Sequence, residues 1–308
     1  MDEIASQFSF ASPEDGPIRR ALIRLVERLT GQPKLLEIYL DNLLHPVPGE
    51  SFFDAALRRL GLQVQYDAAQ LAGVPQTGPL VFVSNHPYGV LDGLVACALA
   101  HRARPDFKIL INSILTRPPE MAAYSLPIDF RDVPEAIETN LRTRAEARRH
   151  LAEGGALLIF PSGTVSTRIS LFGAPPAADP AWKPFVAQLV QRSGAGVVPF
   201  YFEGENSWAF HAASHMSLTL RLALLFNEVQ SRIGSSMSVK IGDLVSSEAL
   251  ERIGGRYAVA QYLRALTYRT GGRDTPGQFG PRLARRLGLD LPPAIDAPDR
   301  FERLRAAY

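Results

Sequence analysis

The sequence predicts an α/β fold in which a mixed, mostly parallel central sheet is flanked by helices. Apolar runs of four to six residues alternate along the chain with longer segments of helical spacing, which is the pattern of such folds. Polar residues directly follow several of these runs, as happens where an α/β sheet places its site beyond the carboxyl ends of its strands. The 308 residues are 46% apolar, which is enough to bury a large core.

Turn residues at the ends of the apolar runs mark the boundaries of the predicted elements. Strands are predicted at 62–66, 80–83, 107–111, 125–130, 156–160, 197–202 and 238–241. Helices are predicted at 17–30, 35–44, 51–60, 93–102, 134–153, 182–193, 218–228 and 246–270. Gly31 ends the first helix and Gly154 ends the long fifth one. A loop rich in Pro, Ala and Gly is expected at 166–184, and a Gly-rich break at 271–279.

The chain is expected to comprise an N-terminal helical segment (1–50), a main domain (51–250) and a helical, basic C-terminal extension (251–308), the last marked by its charge. The extension holds eleven Arg against six Asp and Glu, whereas the whole chain has a net charge of +2. The low net charge argues against nucleic-acid binding, and a basic tail suits an anionic lipid surface. A solvated helical tail is the alternative interpretation.

The ends of the chain and its single cysteine bear on its location. Residues 1–15 are polar and acidic, so we expect no signal peptide, and no run of eighteen apolar residues predicts a transmembrane helix. Cys97 is the only cysteine, so no internal disulfide can form and a cytoplasmic protein is indicated. Its apolar surroundings in sequence favour a core role over a nucleophilic one.

The most informative stretch follows the predicted strand at 80–83. A turn marked by Pro87 and Gly89 leads into the next helix, with Asp92 near its predicted N-cap. His86 and Asp92 therefore share one short loop. An imidazole titrates near neutral pH and suits a general base, and a nearby carboxylate can orient it. Taken alone, a turn histidine beside a capping aspartate is the more ordinary interpretation.

A second stretch, Phe160-Pro161-Ser162-Gly163-Thr164, also stands where an apolar strand meets a turn. Together with Asn85-His86 and Asp92, it resembles the glycerolipid acyltransferase superfamily, which includes the lysophosphatidate acyltransferases. That superfamily carries an Asn-His…Asp block and a Phe-Pro-Glu-Gly-Thr block. This chain has five residues between His and Asp instead of four, and Ser162 in place of the Glu.

Both departures are typical of one branch of that superfamily, the hemolysin-type or lyso-ornithine-lipid acyltransferases. The branch pattern Asn-His-Pro-x-Gly-x-x-Asp-Gly fits at every fixed position from Asn85 to Gly93. The branch's Gly-x-Asn-Ser block is similar to the residues at 204–207. The resemblance covers roughly residues 50–250, which would make 51–250 an acyltransferase domain.

The resemblance implies transfer of a fatty acyl group from a thioester to a lysolipid hydroxyl. The donor would be acyl carrier protein or coenzyme A, with no tightly bound cofactor and no metal, and the protein would attach peripherally to the inner face of a membrane. His86 would be the base and Asp92 its partner. The expected substrate-site residues are Asn85, Gly89, Gly93, Asn112, Arg131, Ser162, Gly163, Thr164 and Arg168.

Several of these roles stay open at the level of sequence. Arg131 and Arg168 suit bidentate binding of a phosphate or carboxylate, with a surface role as the alternative for each. Ser162 in place of Glu weakens the case for a glycerol-phosphate acceptor, and a lyso-aminolipid fits at least as well. Backbone N–H groups in the Gly-rich turns, or at the helix start near Gly93, are the candidates for holding an oxyanion.

Two other functions compete with acyl transfer to a lipid. One is a lipid-binding module without turnover, and the other is a hydrolase that gives the acyl group to water. The chain has no Gly-x-Ser-x-Gly motif, which disfavours a conventional serine hydrolase. His211 and His215 stand four residues apart but lack the Glu of a zinc-protease helix, so a structural or surface role is expected for them.

Overall fold

A computed structural model of the chain describes residues 16–29, 31–131, 133–171, 176–216 and 218–273. The strands in these ranges are β1 (Gln63–Gln65), β2 (Leu80–Ser84), β3 (Lys108–Asn112), β4 (Ser125–Ile128), β5 (Ala156–Ile159), β6 (Gly196–Phe202) and β7 (Ser236–Ile241). The α-helices are α1 (Pro17–Leu29), α2 (Gln32–Leu44), α3 (Phe52–Arg59), α4 (Ala68–Ala72), α5 (Val90–Ala103), α6 (Pro134–Ala152), α7 (Phe185–Ser193), α8 (Trp208–Met216), α9 (Leu218–Ser231), α10 (Ser247–Ile253) and α11 (Arg256–Thr270).

The seven strands form one sheet in the order β1-β7-β6-β2-β5-β3-β4. The five strands from β6 to β4 run parallel to one another. β7 pairs antiparallel with β6, and β1 pairs parallel with β7. The predicted mixed, mostly parallel sheet is therefore confirmed. The carboxyl ends of β2, β5 and β6, which are neighbours at the centre, meet at the same edge.

Strand β2 explains why the sheet is covered on both faces. Leu80 and Phe82 belong to a core cluster with α3 and α5, whereas Val81 and Val83 belong to a cluster with α6, α7 and α11. All four side chains are at most 1% exposed. A strand buried on both faces must be apolar without alternation, as this run is. Burying each such side chain contributes about 1.5–3 kcal/mol.

The start of α5 differs from the prediction. The helix begins at Val90 with Gly89 at its N-cap, three residues earlier than predicted, so Asp92 lies in the first turn and is not the capping residue. Gly89 adopts a φ of +82°, which glycine reaches without steric cost, and the chain can therefore turn into the helix earlier than expected. The Asp92 carboxylate is freed from capping and accepts the Tyr88 N–H at 2.8 Å.

Other boundaries also differ from prediction. The helix predicted at 246–270 is two helices, because Gly254, with a φ of +90°, ends α10 before α11 begins. The strand predicted at 125–130 stops at Ile128, because the next N–H donates to the Asn140 side chain. The short helix α4 and the helix α8 were not predicted.

The described part of the predicted C-terminal extension ends at residue 273. In it, α11 packs against β6 and α7, and its Val259 and Leu263 side chains are fully buried. The Arg-rich remainder at 274–308 lies outside the described residues, as do residues 1–15. Among the described helices, none has the length and apolar character required to cross a membrane.

Candidate active site

His86 and Asp92 come together just beyond the carboxyl end of β2. Their Nδ1 and Oδ1 atoms are 3.0 Å apart, and the Asp92 side chain is fully buried while 18% of the His86 side chain is exposed. The two atoms are at ion-pair distance without the alignment of a straight hydrogen bond, and neither has another hydrogen-bond partner among the described residues. Catalytic hydrogen bonds often have such geometry before substrate binds. The pair thus joins a buried acid to an imidazole that reaches the surface.

Tyr88 fastens the loop that carries His86. Its N–H donates to Asp92 Oδ2 at 2.8 Å, and its hydroxyl donates to the Glu203 carbonyl at 2.6 Å. Gly204, in the turn after β6, has a φ of +100°, and a Cβ there would clash with the Tyr88 hydroxyl. Only glycine satisfies both the backbone angle and the close approach. The two loops therefore fit together at this residue.

Asn85 is buried and joins β2 to β6. Its Nδ2 donates to the Phe202 carbonyl at 2.9 Å, and its Oδ1 accepts the Phe202 N–H at 2.8 Å. The backbone N–H and carbonyl of Phe202 thus bind both polar atoms of the Asn85 side chain. The contact ties the two strands together directly before His86, which places Asn85 as a support of the His86 loop.

Gly89 and Gly93 flank Asp92 in different surroundings. A Cβ at Gly89 would lie 2.9 Å from the Leu225 Cδ2 atom and 3.1 Å from Val165. A Cβ at Gly93 would meet no heavy atom within 4 Å, and the residue is only partly buried. Gly89 therefore serves close packing, whereas Gly93 borders open space beside the acid.

Asp179, which was not among the predicted site residues, holds the backbone of His86. Its Oδ1 accepts the His86 N–H at 3.1 Å and the Ser166 hydroxyl at 2.6 Å. Its Oδ2 accepts the Trp182 indole N–H at 2.8 Å. The Ser166 N–H donates to the His86 carbonyl at 2.7 Å, so both backbone groups of His86 are held. Burial raises the pKa of the Asp179 carboxyl.

We expect Asp179→Ala to lower the free energy of unfolding by roughly 3 kcal/mol or more, because three buried donors lose their acceptor at about 1–3 kcal/mol each. Urea unfolding of the two proteins measures this difference. Asp243→Ala, at an exposed aspartate, is the control and should change stability by less than about 0.5 kcal/mol. Equal unfolding midpoints for Asp179→Ala and the unaltered protein would contradict the expectation.

The turn at 162–164 uses its polar groups internally. The Ser162 hydroxyl is buried and donates to the Thr164 carbonyl at 2.7 Å. Gly163 has a φ of +70°, and its N–H donates to the Phe160 carbonyl at 3.0 Å. The Thr164 hydroxyl accepts from Arg221, a buried arginine, at 3.3 Å. The Phe160 ring packs on the His86 imidazole, with centroids 4.2 Å apart, so this turn adjoins the His–Asp pair.

Asn112 and Arg131 lie farther from that pair. Asn112 accepts the Ile114 N–H at 3.1 Å and caps the short turn after β3. Arg131 is half exposed, and its guanidinium binds Asp129 at 2.8 Å and lowers the pKa of that carboxyl. It follows β4, which is three strands from β2, or about 14 Å at the usual strand spacing. That separation suits contact with a head group better than with a reacting hydroxyl.

Arg168 is paired within the protein. Its Nε donates to Glu205 Oε2 at 3.0 Å, and a second guanidinium nitrogen contacts Oε1. Burial opposes ionisation of Glu205, but its bonds to Arg168 and to the Ala177 N–H outweigh burial and hold the pKa of this carboxyl below its usual value. An anionic substrate would have to compete with Glu205 for this arginine.

His211 and His215 both contact the backbone of Arg168. The Arg168 N–H donates to His211 Nδ1 at 3.4 Å, and its carbonyl oxygen lies 3.0 Å from His215 Nε2. His211 is fully buried, and burial lowers its pKa to about 4. Within the described ranges, no group of three or more His, Cys, Asp or Glu side chains is placed to hold a metal ion.

We expect His211 to make the protein less stable in acid. The unfolded imidazole binds a proton near pH 6.5 and the folded one only near a pKa of about 4, so the unfolded chain binds more protons in this window and stability falls as pH falls. The full shift corresponds to roughly 3 kcal/mol. Urea unfolding at several pH values should show a flatter decline for His211→Asn and an unchanged one for His45→Asn, at an exposed histidine. A decline in His211→Asn as steep as in the unaltered protein would contradict this.

Two residues that hold the site were missed in the sequence, although one left a signal. Asp179 is the only charged residue between Ile169 and Trp182, and a lone acid in an apolar loop indicates a buried role. Arg221 left no such signal, because it lies within a predicted helix, where an arginine is common and nothing in the sequence marks it as buried. Its hydrogen bonds to Thr164, Val165 and Thr167 depend on the fold.

The α/β sheet and the His–Asp contact at its carboxyl edge agree with the resemblance to acyltransferases. The family model described as "Acyltransferase" matches residues 25–272, which include every site residue discussed above. The chain therefore belongs to the acyltransferase family, as the resemblance in the sequence indicated.

Relatives and a solved structure are similar to most of the chain. A lyso-glycine lipid O-acyltransferase of Phocaeicola vulgatus is 23% identical over 265 residues, covering 82% of this chain and 88% of the relative. One from Bacteroides thetaiotaomicron is 22% identical over 260 residues, covering 77% and 90%. The 1-acyl-sn-glycerophosphate acyltransferase PlsC of Thermotoga maritima overlaps with a TM-score of 0.44 at 15% identity, covering 82% of this chain and 95% of that one.

Proposed function

We propose that this acyltransferase moves a fatty acyl group from a thioester to the hydroxyl of a lysolipid. The observation that carries the proposal is the His86–Asp92 contact of 3.0 Å, with the acid buried and the imidazole partly exposed. Membership of the acyltransferase family supports the reaction class. The names of the relatives, lyso-glycine lipid O-acyltransferases, support a lysolipid acceptor.

In this proposal His86 acts as general base through Nε2, because its Nδ1 faces Asp92. The acceptor hydroxyl attacks the thioester carbonyl carbon as its proton passes to Nε2, and a tetrahedral oxyanion forms. Collapse of this intermediate breaks the carbon–sulfur bond and expels the thiolate. The thiolate takes the proton from Nε2, so the products are an ester and a free thiol.

The amino terminus of α5 is suited to stabilising the oxyanion. The helix begins at Val90, four residues after His86, and has fourteen residues. The first N–H groups of a helix lack partners within it, and the helix dipole is positive at this end. Open space beside Gly93, in the same first turn, is where the reacting groups would lie.

The outer part of the site is suited to the acceptor's head group. Arg131 is half exposed and follows β4. Strand β3 separates β4 from β5, the strand that leads into the turn at 162–164. Its distance from His86 allows it to contact an anionic head group while the acceptor hydroxyl is near the imidazole. Ser162, Gly163 and Thr164 would then shape the wall between them, as a preformed turn.

We further propose that the donor is an acyl carrier protein or coenzyme A thioester and that the enzyme works peripherally at the inner face of a membrane. A lysolipid with a long chain resides in a bilayer, so a chain that acts on it must meet the bilayer surface. The arginines of the basic C-terminal extension, other than the buried Arg264, would add attraction to anionic lipid.

The test is to supply the purified protein with an acyl thioester and a lysolipid and to follow thiol release and ester formation together. Transfer predicts that both depend on the lysolipid and occur in equal amounts. Thiol release at the same rate without lysolipid would identify a thioester hydrolase. No thiol release from either acyl carrier protein or coenzyme A thioesters, despite lipid binding, would identify a binding module.

A further inference from the structure

A patch of exposed apolar side chains lies at the edge of the sheet near β4 and α6. Phe130 is 54% exposed, and Ile137 and Leu141 on α6 are 62% and 60% exposed. Arg144 and Arg148 are exposed on the same helix. We call these five residues the α6 patch. Apolar side chains of this size seldom stand in water together without a partner.

The spacing on α6 places four of the patch residues on one side of the helix. Ile137, Leu141, Arg144 and Arg148 follow one another at intervals of four, three and four, which is the repeat of one helical side. The side that packs in the core is a neighbouring one, and its buried residues are Ala136, Thr143, Ala147 and Leu151. Glu135 and Glu146 lie on the remaining side together with Arg142 and Arg149, and Glu138, three residues before Leu141, borders the patch.

Phe130 lies near α6 because the residue before it is bonded to that helix. The Asp129 N–H donates to the Asn140 side chain at 2.9 Å, and that side chain donates back to the Asp129 carbonyl at 2.8 Å. Phe130 and Leu141 each come directly after one member of this pair. The three apolar residues therefore lie near one another at this edge, and the two arginines lie further along the same helix.

The α6 patch also adjoins the candidate active site through Lys183. The Lys183 ammonium lies 5.7 Å from the centre of the Phe130 ring, and it would be 3.1 Å from a Cβ at Gly163. One exposed side chain thus spans the distance between Phe130 and the turn at 162–164. A bilayer that met the patch would lie next to that turn, and Lys183 adds a third positive charge there.

We infer that the α6 patch is where this protein docks on an anionic membrane surface. The apolar side chains would enter the boundary between head groups and acyl chains, and the arginines would bind the anionic head groups. Arg144 and Arg148 lie on the apolar side of α6, whereas Glu135 and Glu146 lie on another side, and this local positive charge favours anionic lipid over a protein partner. The inference rests on the proposed function only in that the acceptor is a membrane lipid.

The test is flotation of the full-length protein with vesicles of phosphatidylcholine, alone or mixed with phosphatidylglycerol, without donor or acceptor. We expect binding to the mixed vesicles and a fall of about tenfold in partitioning for the F130S/I137S/L141S variant. L244S is the matched control, because Leu244 is also exposed, at 46%. It lies beside Gly196, where β6 begins, and so at the opposite end of the parallel strands from the patch. Its partitioning should not change.

A second pair of variants tests the charges. R148Q removes an arginine of the patch and should weaken binding to the mixed vesicles about fivefold, whereas R142Q, on the far side of α6, should change binding less. Added salt should weaken binding of the unaltered protein. Because all patch residues are exposed, thermal unfolding should show the variants to be folded.

The outcomes separate docking from catalysis. Undiminished vesicle binding by the triple variant, or an equal loss in L244S, would overturn the docking inference even if acyl transfer occurs. Loss of binding in the triple variant alone would support docking even if no transfer were found. Transfer to a water-soluble, short-chain lysolipid should be unchanged in the triple variant, and an equal loss on that acceptor would overturn a role confined to docking.

Discussion

We expect His86→Ala to reduce the rate of acyl transfer by about a hundred- to ten-thousand-fold, the range that loss of a positioned general base typically costs. The alanine cannot take the proton of the attacking hydroxyl, and the remaining groups only bind and orient. The measurement is the initial rate of thiol release with saturating thioester and lysolipid.

We expect the His86→Ala variant to keep its fold, which thermal unfolding will show. Asp179 and Ser166 hold the His86 N–H and carbonyl, and these contacts do not use the imidazole. His45→Ala is the control, since His45 is exposed and lies on the segment after α2. A folded His86→Ala protein that transfers acyl groups at the unaltered rate would refute the role of His86.

We expect Asp92→Asn to reduce the rate by a factor approaching that of His86→Ala, up to about ten-thousand-fold. If the amide oxygen replaces Oδ2, it still accepts the Tyr88 N–H at 2.8 Å, and the amide NH₂ then faces His86 Nδ1. A donor there favours the tautomer with its proton on Nε2, which leaves Nε2 without the lone pair that a base requires.

The pH profile distinguishes this effect from a structural one. Loss of the orienting acid should change the pH dependence of kcat/KM as well as its maximum, whereas a merely weakened loop should lower the rate at every pH alike. Asp243→Asn is the matched control at an exposed aspartate. An Asp92→Asn protein with the unaltered rate and pH profile would show that Asp92 serves the loop through Tyr88 and not the imidazole.

Much of the sheet was predictable because each strand is marked by a short apolar run of its own residues. The run at 80–83 has no polar residue, which is what burial on both faces requires, and the structure has β2 there. Boundaries were less predictable where a distant group decided them. β4 ends at Ile128 because of Asn140, which is twelve residues further along the chain.

The candidate site was predictable in part. His86 and Asp92 are six positions apart in one loop, so their contact is nearly a local property. Of the expected substrate residues, Asn85 is bound to Phe202 and Arg168 is bound to Glu205. Both partners are distant in the chain, so no local sequence pattern predicts them. Their roles in substrate binding stay predictions, and Asp179 entered the site only through the fold.

The sequence by itself determined the alternation of strands and helices, the pairing of one imidazole with one acid, and the family resemblance, because each depends on residues close together in the chain. The tertiary structure decided which groups surround that pair. It brought Asp179 and Phe202 to the loop from 93 and 117 residues away, and it assembled the α6 patch from a strand end and a helix side. The physical reason is that side chains far apart in sequence meet only when buried apolar faces pack the sheet between its helices.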